Sequence, residues 1–438
     1  MKATLGHFAR LLVVIALSLV SQCGAPSAQA VSPPVVDGSR LPAAAMPGPS
    51  RPTALREPCA TLTANASDPV QRPTPQLAQI GLPQLWQLTR GGGQRVAIID
   101  TGVARHPRLP NVVPGGDYVA GGDGTQDCDA HGTAVAGIIG ATKDSVTNTV
   151  GMAPEATLIS IRQSSTKYGP AGDRSTIGVG DVETLAKAVR TAADLGASVI
   201  NVSSIACVPV GAALDDRALG AALAYAVDIK NTVVVAPAGN IGSPNNQGTQ
   251  CPPQRPGATW ETATVAVSPA WYDDYVLTVG SVNGSGDPSA FTLAGPWVDV
   301  AAPGEGSTPL GAAAVYGTSY AAPVVSGLAA LIRARFPALT ARQVIRRIES
   351  TAHHPPAGRD AVVGHGVIDA LAAVGTDSEP RTVAPTEARV PASVTRAPER
   401  PTRYGPATAA VGTAMCTVGL VLVLALRRRR RDDGIAGD

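Results

Sequence analysis

Five short, β-branched apolar runs, at residues 96–99, 157–162, 198–203, 232–236 and 276–282, recur through the middle of the chain with helix-length stretches between them. Runs that are apolar at nearly every position, without alternation, suit strands buried on both faces. The stretches 182–195, 214–229 and 321–336 are long enough for helices, rich in alanine, and carry apolar residues three and four apart. Strands alternating with helices specify an α/β fold, a parallel sheet flanked by helices on both faces. Such a sheet forms its ligand cleft at the carboxyl ends of its strands, and Asp100, Ser203 and Asn240 each stand where an apolar run gives out.

Three motifs sit on this framework: VAIIDTGV at 96–103, DAHGTAVAG at 129–137 and YGTSYAAPVVSG at 316–327. They supply Asp100, His131 and Ser319, each among small residues at an element boundary, where a side chain can enter a cleft while its backbone stays packed. Alone, Asp-Thr-Gly reads as a turn, His-Gly-Thr as a helix cap and Gly-Thr-Ser as a helix start. Together and in this order they describe a serine hydrolase. A serine hydroxyl does not attack an amide unaided. His131 would take its proton and return it to the leaving amine, a task that suits imidazole because it titrates near neutrality. Asp100 would hold the other ring nitrogen and stabilise the imidazolium. Ser319, at the start of a helix, has amides and a dipole beside it that favour developing negative charge. An α/β-hydrolase esterase needs its serine before the acid and the base, and here the serine follows both.

The order Asp, His, Ser and the motifs themselves resemble the subtilases, over roughly residues 77–375. The resemblance implies that Asn240, in APAGN, is catalytic, its amide joining the Ser319 backbone N–H in an oxyanion hole; such a donor is worth about 3–4 kcal/mol. It also implies that a peptide adds as a strand beside INVSSIAC, residues 200–207. Ser203 and Ser204 would then bind substrate, although Asn201 and Ser203 read equally well as satisfied rim residues. Tyr320 replaces the methionine usual after the serine and Val324 the histidine usual after the proline; neither touches the proton relay. Ser204, Ile205 and Ala206 stand where glycines are usual, which points to an altered pocket floor and narrow specificity.

The flanks define topology. Lys2 and Arg10, an apolar run at 11–20 and the small-residue site Ala28-Gln29-Ala30 make residues 1–30 a secretory signal peptide, the run being short for the alternative of an uncleaved anchor. Residues 31–76 are an N-terminal extension rich in proline, alanine and serine, without the patterning of a compact domain. A subtilisin-like catalytic domain at 77–375 leads into a Pro-rich linker at 376–406 and an apolar stretch at 407–426, long enough to cross a bilayer as one transmembrane helix. The arginines that open the tail at 427–438 stay cytoplasmic by the positive-inside rule, leaving everything upstream outside, in agreement with the signal. This architecture and the Ser-Tyr pair resemble the mycosins, membrane-anchored subtilases of mycobacterial type VII secretion systems. That resemblance implies an extension wrapped on the catalytic domain, docking on the type VII membrane complex at the plasma membrane, and a protein or peptide substrate. The alternative role is a mainly structural component of that complex, with proteolysis secondary.

Formal net charge is +2, and the five arginines and three aspartates of 427–438 account for all of it, so the balanced remainder argues against a nucleic-acid partner. With Cys23 in the signal and Cys416 in the span, the exported region holds Cys59, Cys128, Cys207 and Cys251 in an oxidising compartment. Cys207 and Cys251 each follow a strand running to the same rim, so the expected bonds are Cys207 with Cys251 and Cys59 with Cys128. The second would either pin the extension beside the cleft or simply staple a long loop. Asp123, Asp127 and Asp129 lack EF-hand spacing and read as a solvated loop, and His353, His354 and His365 lack ligand spacing. Gly91 to Gly93 precede a strand instead of following one. No metal and no cofactor are expected. The polar loops at 164–181 and 241–270 have the length of binding surfaces.

Overall fold

The computed structural model describes residues 31–60, 75–144, 149–173, 178–242, 250–311 and 314–375. The expected signal peptide, linker, membrane span and tail, with Cys23 and Cys416, lie outside the described residues. Among the described residues no helix is long and apolar enough to cross a membrane.

The apolar runs form strands of one seven-stranded sheet: β1 (Arg95–Asp100), β2 (Val112–Asp117), β3 (Thr157–Arg162), β4 (Val199–Val202), β5 (Val233–Pro237), β6 (Leu277–Val282) and β7 (Val300–Pro303). Their spatial order is β7-β6-β5-β4-β1-β3-β2, with every pair parallel. From Val96 to Asp100 every residue of β1 is buried. Successive strand side chains point to opposite faces, so both faces of the sheet are covered there. After β3 the chain crosses β1 to reach β4, which makes the end of β1 a point where the strand order reverses, the place at which open α/β sheets bind their ligands. No apolar run corresponds to β7 or to β2, whose VVPGGD contains a proline and two glycines; these are tolerated because β2 is an edge strand with a register shift between Pro114 and Gly116.

Five helices matter for the site and its surroundings: α1 (His131–Gly140), α2 (Val182–Asp194), α3 (Arg217–Ala224), α4 (Thr318–Arg335) and α5 (Ala341–Thr351). α1 packs on α4, α2 on α3, and α4 lies along β4, β5, β6 and β7. Every residue of α4 from Ala321 to Ile332 is buried, as a helix apolar all round requires. It begins three residues before the expected start, which puts Ser319 inside its first turn. The expected helix at 214–229 divides into α3 and a wider π-helical turn, Tyr225–Ile229.

Residues 31–60 build no core of their own. Thr53–Leu55 pairs antiparallel with Tyr168–Pro170, so part of the loop at 164–181 is strand. Arg190 donates to the Pro42 carbonyl at 3.2 Å, and Val31 is buried, its amide 2.9 Å from the Trp260 carbonyl. Disulfides join Cys59 to Cys128 and Cys207 to Cys251. Cys207 lies in Ala206–Pro209, a strand that leaves the main sheet after β4 and pairs antiparallel with Val265–Ser268.

Candidate active site

β1 ends on Asp100, which is 1% exposed. Its Oδ1 accepts from the Thr101 amide at 2.6 Å, and its two carboxylate oxygens stand 2.8 and 3.0 Å from His131 Nδ1. His131 is the first residue of α1, and its Nε2 stands 2.9 Å from Ser319 Oγ. The imidazole is thus bracketed between acid and hydroxyl, with the side chain a quarter exposed at 26%. Tyr320 lies against the imidazole, ring centroids 4.8 Å apart, which corrects the expectation that it stands clear of the proton relay.

The approach of α1 to β1 depends on Gly132. A Cβ there would fall 2.1 Å from the Gly102 carbonyl and 3.1 Å from Asp100 Oδ1, so any side chain would push His131 away from its partner. Just before His131, Ala130 has φ 64°, a left-handed conformation that costs a residue with a Cβ roughly 1 kcal/mol. Asp127 holds that turn. Its carboxylate accepts from the Ala130 amide (2.9 Å), the Asp129 amide (3.1 Å), the Thr101 hydroxyl (2.8 Å) and the amide and hydroxyl of Thr133 (2.8 and 2.6 Å). The solvated-loop expectation is therefore corrected for Asp127, which is half-buried and caps the helix that carries His131.

Burial by itself would lower the His131 pKa and raise that of Asp100. Their mutual attraction and direct hydrogen bond outweigh it: His131 is held above the ordinary imidazole value and Asp100 below the ordinary carboxylate value. The arrangement suits a neutral ring that gains a proton beside a fixed negative charge.

β5 is followed by Gly239, whose φ of 110° turns the chain so that Asn240 faces the start of α4. Asn240 Oδ1 accepts from the Thr318 amide at 2.9 Å and hydroxyl at 3.1 Å. A Cβ on Gly317 would lie 3.3 Å from Ser319 Oγ and 3.8 Å from Asn240 Nδ2. The glycine keeps open the space that hydroxyl and amide share.

Ser203 and Ser204 lie on the rim just beyond β4. Ser203 Oγ accepts from Asn201 Nδ2 at 3.0 Å, and its hydroxyl bonds the Asp100 carboxylate, helping to lower its pKa. Ser204 Oγ is 3.2 Å from Ser164 Oγ. Asn201 is fully buried, its Oδ1 accepting from Ser326 at 2.8 Å. Sequence reasoning gave no role to Thr101 and Thr318, which lie inside two of the motifs, and read Asp127, two residues before the third, as part of a solvated loop; hydrogen-bonding side chains in or beside the motifs are the available signal.

The Subtilase family profile, Peptidase_S8, matches residues 91–366. The chain is 60% identical over 452 residues to Mycosin-4 of Mycobacterium tuberculosis (strain ATCC 25618 / H37Rv), an alignment that spans 98% of each. The crystal structure of MycP1 from Mycobacterium smegmatis matches with a TM-score of 0.71 at 40% identity, covering 80% of this chain and 96% of that one. A chain in the structure of an intact ESX-5 inner membrane complex also matches at 0.71, with 35% identity, covering 92% of this chain and 100% of that one.

Proposed function

The chain belongs to the Subtilase family and, within it, to the mycosins, and is a serine endopeptidase; from that premise we propose a membrane-anchored enzyme that processes exported proteins outside the plasma membrane, in association with a type VII secretion system. The observation that carries the chemistry is the 2.9 Å contact of His131 Nε2 with Ser319 Oγ, on a ring whose far nitrogen meets Asp100 at 2.8 Å.

In this reading Ser319 Oγ attacks the scissile carbonyl while His131 Nε2 takes its proton. The imidazolium is stabilised by Asp100, which stays ionised. The carbonyl oxygen, now an oxyanion, accepts from Asn240 Nδ2 and the Ser319 amide, donors fixed before reaction. His131 then protonates the leaving amine. Water repeats the sequence on the acyl-enzyme, with His131 again as base, and frees Ser319. Ser203 and Ser204, on the rim beside the triad, contact the bound peptide.

Residues 1–30 act as the signal, 31–76 as the extension, 77–375 as the catalytic domain, 376–406 as the linker, 407–426 as the anchor and 427–438 as the cytoplasmic tail. The similarity to a chain of an inner membrane complex supports docking on such machinery. Comparing exported proteins from cells carrying the native chain and Ser319→Ala tests the reading: at least one exported protein should change size, and identical profiles contradict it.

The same similarity favours a second role, as a structural component of the secretion complex. Deletion against Ser319→Ala separates the two. Secretion lost on deletion but kept with Ser319→Ala identifies the scaffold; equal loss leaves only the enzyme.

A further inference from the structure

Asn240 is gripped at both ends of its side-chain amide. Thr318 donates twice to Oδ1, and at the other end Nδ2 donates to Gln250 Oε1 at 3.0 Å, an oxygen that also accepts from the Asn240 backbone amide at 3.1 Å. A primary amide carries two N–H groups, so Gln250 engages one and leaves the other. The two grips also fix which way the amide faces. Turned over, its oxygen would meet the Gln250 oxygen and its NH2 the Thr318 amide, replacing attraction with repulsion at both ends.

Gln250 is itself held. The next residue, Cys251, is buried, bonded to Cys207, and donates its amide to the Asn240 carbonyl at 3.0 Å. Asn240, Gln250 and Cys251 therefore close on one another as a clasp. The Gln250 side chain is exposed and contributes nothing to the core.

We propose that Gln250 is a positioning residue of the oxyanion hole: it locks the Asn240 amide so that its remaining N–H is in place before charge develops on the substrate. An oxyanion hole is effective because its donors need no reorganisation during reaction, so a group that stops this amide from rotating acts on the rate and not on ground-state binding. The inference rests on the proposed role of Asn240 as a donor, and its test separates the two.

A fluorophosphonate is a suitable probe because it needs no known peptide sequence: Ser319 Oγ bonds to phosphorus as fluoride leaves, and the phosphoryl oxygen sits where the oxyanion would. Full-length protein should give a maximal labelling rate about tenfold lower for Gln250→Ala and Gln250→Met than for the native chain, with the half-saturating probe concentration unchanged. Asn240→Ala should lose ~100-fold, and Asn240→Ala/Gln250→Ala should match Asn240→Ala alone. An unchanged rate in the Gln250 variants overturns the inference, as does additivity in the double variant. A faster rate overturns it too, since Gln250 would then be a plug in the hole. If Asn240→Ala itself labels at the native rate, the reading of Asn240 falls and this one with it.

Discussion

The carboxylate of Asp127 accepts from both the amide and the hydroxyl of Thr133, at 2.8 and 2.6 Å, and so caps the helix whose first residue is His131. The same carboxylate takes the Thr101 hydroxyl, and that hydroxyl accepts from the Gly132 amide at 3.0 Å. One side chain thus ties the end of the Asp100 strand to the start of the His131 helix. Asp127→Ala should cost about 1–2 kcal/mol of stability through the lost cap. It should also slow labelling of Ser319 roughly tenfold, because small displacements of a catalytic base are expensive. Thermal melts and labelling rates on the same protein check both; native kinetics in a destabilised variant would separate the cap from catalysis.

The base we propose, His131, must be neutral to accept a proton, and it is held above the ordinary imidazole value. Activity should therefore fail on the acid side at a higher pH than a free imidazole would dictate. Asp100→Asn removes the charge that raises the pKa, so the acid limb should move down while the maximal rate falls about 10^4-fold. A pH profile of labelling for the two proteins measures both. An acid limb left in place by Asp100→Asn would mean that the carboxylate does not set it.

A second group of titrating residues lies away from the cleft. Burial first, then the Asp273 and Glu349 charges, hold Asp299 well above the ordinary carboxylate value. Burial also pushes Asp273 up to about 6, against the opposing pull of Arg359 and with a further push from Asp274, and it raises Glu349. A carboxyl whose folded pKa is raised keeps its proton longer in the folded state. Its contribution is neutral below the unfolded value and turns against folding as pH rises through the window up to the folded value. For Asp273 that window runs from 3.8 to about 6. Asp273→Asn should be more stable than the native chain by about 1 kcal/mol at pH 8, discounted for partial exposure, and equal to it near pH 4. Denaturant midpoints at the two pH values check this.

Cys59 ties the extension to Cys128, three residues before His131. Cys59→Ser should lower stability by about 2 kcal/mol and expose residues 31–60 to limited proteolysis. Labelling of Ser319 should hardly change, since Asp127 still holds the turn. A large loss of labelling would assign the bond a part in shaping the cleft.

Much of this organisation is legible in the residues because chemistry and burial leave local marks. Residues 96–99 read as a buried strand since every position there is hidden from water, and Gly132 and Gly317 mark places where the backbone must come close to a functional group. Other features leave weaker marks. β2 carries Pro114 and two glycines, so its composition speaks for a turn, and only its edge position makes a strand possible. Val300–Pro303 is a four-residue strand whose pairing with β6 fixes it more than its own pattern does. Asp127 and Gln250 bond partners 26 and 10 residues away, at Thr101 and Asn240, and no periodicity connects such pairs. Thr53–Leu55 becomes a strand only because Tyr168–Pro170 offers an edge.

The central claim is that Asp100 and His131 make Ser319 a nucleophile. Fluorophosphonate labelling of full-length protein, read by peptide mass mapping, tests it most directly. The account predicts a single adduct, on Ser319, lost in His131→Ala and slowed at least ~10^4-fold in Asp100→Asn. An adduct on another serine, or labelling of Ser319 that survives the loss of His131, would contradict it.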